Sequence, residues 1–166
     1  MGGGISSRLY RSLREDQGLA YYIHSEYQAY RDVGLLWIEG VTQPESLLKT
    51  IELIQREIQQ LANIEIDDEE LWRTKMQMQG QQQLAADSTH TRMSRLLSQE
   101  FYFGRHLPEA EVLDEIECVT AATIREIAQQ LKTATASCAA LVPAGISNST
   151  QQIKSLLNQS SELVLT

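Results

Sequence analysis

The chain has 166 residues, 42% of them hydrophobic and 22% charged, enough apolar material for one domain with a core of its own. Its net charge of −8 argues against a sequence-independent nucleic-acid binder, whose affinity would need a basic surface. No apolar run approaches the length of a membrane span and no secretory leader is visible, so the chain is expected to be soluble, with no nucleic-acid or membrane partner.

The chain opens on Gly2-Gly3-Gly4, whose backbone freedom suits a tight entry to structure. Residues 5–16 then read as a short helix with Leu9 and Leu13 on one face, capped by Ser6 or Ser7 and stopped by Gly18. From Leu19 the period becomes two. Tyr21, Ile23, Ser25, Tyr27 and Ala29 alternate with Tyr22, His24, Glu26, Gln28 and Tyr30. A turn at Arg31-Asp32 and a second strand over Val33–Val41 complete a β-hairpin. The order places an arginine, Arg14, near a helix end and a tyrosine, Tyr21, at a strand start.

Helices follow. Thr42 and Glu45 fit a capping box around Pro44, and Leu47, Leu48, Ile51, Ile54, Ile58 and Leu61 form an apolar stripe. Asp67 with Glu70 fits a second box, opening a helix towards Leu84 whose Gln77–Gln83 stretch is expected to face solvent. Asp87 or Ser88 caps a third helix, with Met93, Leu96, Leu97 and Phe101 expected inward and Gly104 as its stop. Two shorter helices span 109–117 and 121–132, and residues 135–142 read as a final strand ended by Pro143. Beyond it only Leu156, Leu157 and Leu163-Val164-Leu165 offer apolar surface, so residues 1–143 are expected to form the domain and 144–166 a tail. A hairpin, several helices and a lone strand make an α+β pattern. Three strands are few for so many helices, which suggests further sheet strands upstream.

The usual catalytic motifs are missing. His24, His90 and His106 are far apart in sequence and belong to neither His-x-x-Glu-His nor His-Glu-x-x-His, so the chain alone lacks a zinc motif. There is no Gly-x-Ser-x-Gly elbow, and Cys118 and Cys138 form no Cys-x-x-Cys pair. The run Asp67-Asp68-Glu69-Glu70 suits the positive end of a helix dipole better than a metal. Arg14 and Tyr21 remain. An arginine can donate several hydrogen bonds to peptide carbonyls, and a neutral tyrosine can donate to an oxygen gaining charge. The same residues also suit plain roles, Arg14 at a helix C-terminus and Tyr21 as a strand former.

The segment from Gly2-Gly3-Gly4-Ile5-Ser6-Ser7-Arg8-Leu9-Tyr10 through Leu13-Arg14-Glu15-Asp16-Gln17-Gly18-Leu19-Ala20-Tyr21 resembles the signature of the C-terminal, non-zinc half-domain of the insulinase and mitochondrial-processing-peptidase family of zinc metallopeptidases. The likeness continues through Val33-Gly34-Leu35, the Asp67–Leu71 helix start, Arg92, Phe103-Gly104 and Val119-Thr120-Ala121. It implies an α+β half-domain with an antiparallel-rich sheet and helices packed on one face. It also implies a homologous partner domain or subunit that carries His-x-x-Glu-His and the zinc. In such an enzyme Arg14 would contact the peptide's carbonyls, and Tyr21 would hydrogen-bond the scissile carbonyl and its tetrahedral intermediate. A half-domain of this kind has a strand and a helix before the triple glycine, so the chain is expected to be N-terminally truncated, inactive alone, and able to pair its exposed sheet edge with another copy. The rival expectation is a catalytically inactive assembly module of the same fold, with Arg14 and Tyr21 buried or internally paired and facing no cavity.

Overall fold

The computed structural model describes residues 1–30, 32–143, 153 and 163–165. Ser7 opens the first helix: its side chain accepts from Tyr10 N, and α1 (Arg8–Tyr10) runs directly into a π-helix over Arg11–Asp16. Leu9 and Leu13 are fully buried, as the apolar spacing predicts. Gly18 has φ +60°, the left-handed conformation that a glycine adopts without steric cost. The Leu19 amide returns to the Leu13 carbonyl at 2.8 Å and closes the end of the helix.

Strands β1 (Ala20–Ala29) and β2 (Gly34–Thr42) form the expected antiparallel hairpin. The simple alternation fails at its start. Ala20 pairs with Thr42 and Tyr22 with Val41, which leaves Tyr21 as an extra residue in a β-bulge. The bulge reverses the parity of the strand, so Ala20 and Ile23 both enter the core while Tyr21 and Tyr22 both face out. Met1 and Gly2 lie against this layer: Leu9 N donates to Met1 O, and Ser25 N to Gly2 O at 3.1 Å. A Cβ on Gly2 would sit 2.8 Å from the Ser25 amide nitrogen, so the approach needs glycine.

A 3₁₀ turn at Pro44–Ser46 leads into α2 (Leu47–Asn63). The expected capping box at Thr42 and Glu45 does not form. Thr42 is the last strand residue, and its hydroxyl donates instead to Leu19 O at 2.6 Å. Ile38, Leu53 and Ile54 pack over Leu9, Leu13, Ala20 and Ile23, so the core joins the first helix, the hairpin and α2.

Helices α3 (Asp68–Ala86), α4 (Thr89–Phe103), α5 (Glu109–Cys118) and α6 (Ala121–Thr133) follow, with side-chain caps from Asp67, Ser88 and Thr120 on α3, α4 and α6. The Gly104 stop is confirmed by φ +65°. The apolar stripe of α4 does not face inward as its spacing predicts. Met93, Leu96, Leu97 and Phe101 are 60%, 44%, 70% and 76% exposed, and the buried residue of the helix is Gln99. Gln99 Oε1 accepts from Leu107 N at 3.1 Å and lies 3.0 Å from His106 Nδ1, so the return of the chain after Gly104 is tied by polar groups. Helix α6 packs on α2, with Gln129 donating to Ala62 O and Arg125 paired to Glu65.

The final strand is shorter than the pattern suggests. It is β3 (Cys138–Ala140), paired in parallel with β4 (Leu163–Leu165). Among the described residues the hairpin and this pair form two separate two-stranded sheets. Of the segment 144–166 only buried Ile153 and β4 are described. Leu156 and Leu157 lie outside the described residues, as does Arg31 of the hairpin turn.

Candidate functional site

The junction between the π-helix and β1 brings Arg14 and Tyr21 together. A π-helix winds more widely than an α-helix, and it places Arg14 in its last turn. The left-handed Gly18 turns the chain back, and the bulge pushes Tyr21 outward. The Arg14 guanidinium carbon sits 5.4 Å from the centre of the Tyr21 ring and 5.0 Å from that of Tyr10. Both distances are within the range of a favourable cation–π contact. Among the described residues the Arg14 N–H groups have no carboxylate or carbonyl partner. Tyr21 is 80% exposed. Arg14, Gly18, Tyr21, Val41, Thr42 and Gln43 line a hollow of about 340 Å³, at the lower end of the range for ligand sites.

Two donor types therefore border one concavity, a guanidinium held by aromatic faces and an exposed phenol. Such a site suits carbonyl or carboxylate oxygens. Tyr10 escaped sequence reasoning, although its position four residues before Arg14 signals a shared helix face. Thr42 fits a helix cap by its sequence, and its place in the wall of the hollow has no sequence signature.

Beside the hollow, the exposed face of the hairpin carries a polar constellation. Tyr22 Oη donates to Glu39 Oε1 at 2.9 Å and Trp37 Nε1 to Glu39 Oε2 at 3.3 Å. His24 stacks on Tyr22, with ring centres 6.4 Å apart. The hydrogen bonds from Tyr22 and then Trp37 hold the Glu39 carboxyl below its ordinary range, and the Glu39 bond pushes the Tyr22 phenol up.

The remaining histidines lie apart, His90 in the first turn of α4 and His106 beside Gln99. Among the described residues no three His, Cys, Asp or Glu side chains converge to hold a metal. The donor set of the described residues does not fit a zinc site. The Asp67–Glu70 run serves the start of α3: Asp67 Oδ1 accepts from Glu70 N at 2.7 Å. The Glu70 carboxylate does not return to its own helix as a capping box requires; it binds Arg8. Both thiols are free; Cys118 is exposed, and burial pushes the Cys138 thiol up. Among the described residues no helix is long and apolar enough to cross a membrane.

Residues 1–78 match the family model described as peptidase M16 inactive domain. The chain is 36% identical over 145 residues to the uncharacterized zinc protease YmxG of Bacillus subtilis, covering 87% of this chain and 36% of that protein. It thus spans about a third of the length of that relative. Among solved structures, a conserved protein from Enterococcus faecalis is similar with a TM-score of 0.69 and 26% identity, over 78% of this chain and 30% of the other. The peptidase M16 inactive domain from Pseudomonas fluorescens shares the fold, with a TM-score of 0.65 and 20% identity over 78% and 31% of the two chains.

Proposed function

Since the chain belongs to the family of the peptidase M16 inactive domain, the C-terminal domain of zinc proteases, we propose that it is the substrate-binding half of a zinc metallopeptidase. In this reading a homologous domain or subunit bearing His-x-x-Glu-His holds the zinc and the attacking water. The two halves enclose the peptide.

The observation that carries the proposal is the meeting of Arg14 and Tyr21 at one exposed hollow. The guanidinium, oriented by the rings of Tyr10 and Tyr21, donates to carbonyl oxygens of an extended peptide and fixes its register. The Tyr21 hydroxyl donates to the carbonyl oxygen under attack. That bond strengthens as the oxygen becomes an oxyanion, so the tyrosine stabilises the tetrahedral intermediate more than the bound peptide. Enclosure removes competing water and strengthens both interactions. The rival reading, an assembly module without activity, expects these residues to be buried or internally paired and to face no cavity. Arg14 does pair with the Tyr10 and Tyr21 rings, but Arg14 and Tyr21 both line the hollow and Tyr21 is exposed, which favours the substrate-binding reading. The outer edge of β2 is a further surface that a second copy would pair.

The test is reconstitution. The chain is mixed with a zinc-bearing partner domain, and cleavage of a fluorogenic peptide is followed. Tyr21→Phe is expected to lower kcat about ten- to a thousandfold, the range for loss of an oxyanion donor. Unchanged turnover overturns the role given to Tyr21.

A further inference from the structure

The segment that carries Arg14 is held from behind by an ion pair outside the hollow. Arg8 Nε and Nη2 donate to Glu70 Oε1 and Oε2, both at 2.6 Å, in a bidentate pair between the first helical turn and α3. The two side chains are 27% and 28% exposed, so water screens the pair only partly. The Glu70 hydrogen bond raises the Arg8 pKa against the opposing effect of burial, and the charges of Glu70, Glu57 and Asp67 add to it. Arg8 stays charged. Glu70 is itself fixed, because its amide is bound to the Asp67 cap.

The winding between Arg8 and Arg14 decides where Arg14 faces. Helix α1 gives way to a π-helix at Arg11, and π-winding is the rarer state, which persists where its surroundings hold it. Relaxation to α-winding would remove one residue from the turn. Arg14, three residues into the π-segment, would then turn about the axis and away from Tyr21. Leu9 and Leu13 anchor the apolar side, and the Leu19 N to Leu13 O bond fixes the far end. At the near end, the Arg8–Glu70 pair fixes rotation about the axis.

We propose that Arg8 and Glu70 are positioning residues that hold the π-turn so that Arg14 stays stacked between Tyr10 and Tyr21, ready to bind peptide carbonyls. The proposal rests on the peptide-binding reading of Arg14, but its geometry can be tested separately. α3 thereby becomes part of the site although it touches no substrate.

The experiment is a double-mutant cycle in the reconstituted complex. Glu70→Gln, Arg14→Ala and the double variant are compared for affinity towards a labelled peptide with a methyleneamine in place of the cleaved amide. Side-chain NMR of Arg14 is recorded in parallel. Glu70→Gln is expected to weaken binding about fivefold when Arg14 is present and less than about 1.5-fold in the Arg14→Ala background, because coupled residues are not additive. The Arg14 side-chain signal should also move. A merely stabilising pair would weaken binding equally in both backgrounds and leave that signal in place, which overturns the proposal. If Glu70→Gln does not fold, the swap Arg8→Glu with Glu70→Arg decides: restored affinity and signal support positioning, and their loss in a folded protein overturns it. If Arg14→Ala leaves affinity unchanged, the peptide-binding reading fails, and the NMR response alone then upholds or overturns the positioning geometry.

Discussion

Gly18, Arg14 and Tyr21 show how few residues define the junction. Gly18 was legible in the sequence, because a glycine after a short apolar helix signals a left-handed stop, and its φ is +60°. No atom lies within 4 Å of where its Cβ would stand, so Gly18→Ala tests conformation without steric crowding. The substitution is expected to cost about 1–2 kcal/mol, the penalty of a left-handed L-residue, read from the midpoint of urea unfolding. Arg14 and Tyr21 were also legible, through the resemblance. Their stacking was not, because it depends on a π-turn and a bulge that each insert one residue into a regular period. Neither irregularity leaves a mark in residue type at this place: the bulged residue is an ordinary strand tyrosine.

Among the elements, the helices and the hairpin follow closely from local chemistry. Asp67, Ser88 and Thr120 all cap where their side chains can reach the amide three residues on. Asp67→Ala is expected to destabilise the chain by about 1 kcal/mol, measured by denaturant unfolding. The loss should also loosen the seat of Glu70. The outward-facing stripe of α4 has a physical explanation. Met93, Leu96, Leu97 and Phe101 recur at helical spacing, and such a stripe declares that a helix has an apolar side. It does not say what stands opposite, and among the described residues that side is open. The residue that holds α4 is Gln99, a polar side chain whose burial no hydropathy pattern announces. Thr42 misled in the opposite way: its sequence fits a cap, but strand pairing claimed the residue first.

At the scale of the whole molecule the α+β class was readable from element order, whereas the sheet arrangement was not. A strand of small residues such as Cys138–Ala140 carries no information about its neighbour, and it pairs with Leu163–Leu165 rather than with the hairpin. The hairpin therefore ends the described sheet at β2, whose outer backbone groups have no strand partner among the described residues. The β1 side is partly covered, since Gly2 accepts from Ser25. If the β2 edge recruits a second copy, light scattering of the chain at micromolar concentration should give the mass of a dimer. A monomer at that concentration overturns the pairing.

The bulge opposite Val41 also sets the direction in which this hairpin can tolerate a change in length. Elsewhere in β1, loss of one residue would invert every side chain beyond it and turn Ile23 out of the core. At Tyr21 the ladder already holds one residue too many. A one-residue deletion there would restore an unbroken register from Ala20 to Ala29, retain a tyrosine at the junction and leave the buried leucines undisturbed. Tyr22 would then have to leave Glu39 to stand by Arg14. Under the role proposed for Tyr21, Tyr22 would thus stand as its spare, separated by one peptide unit.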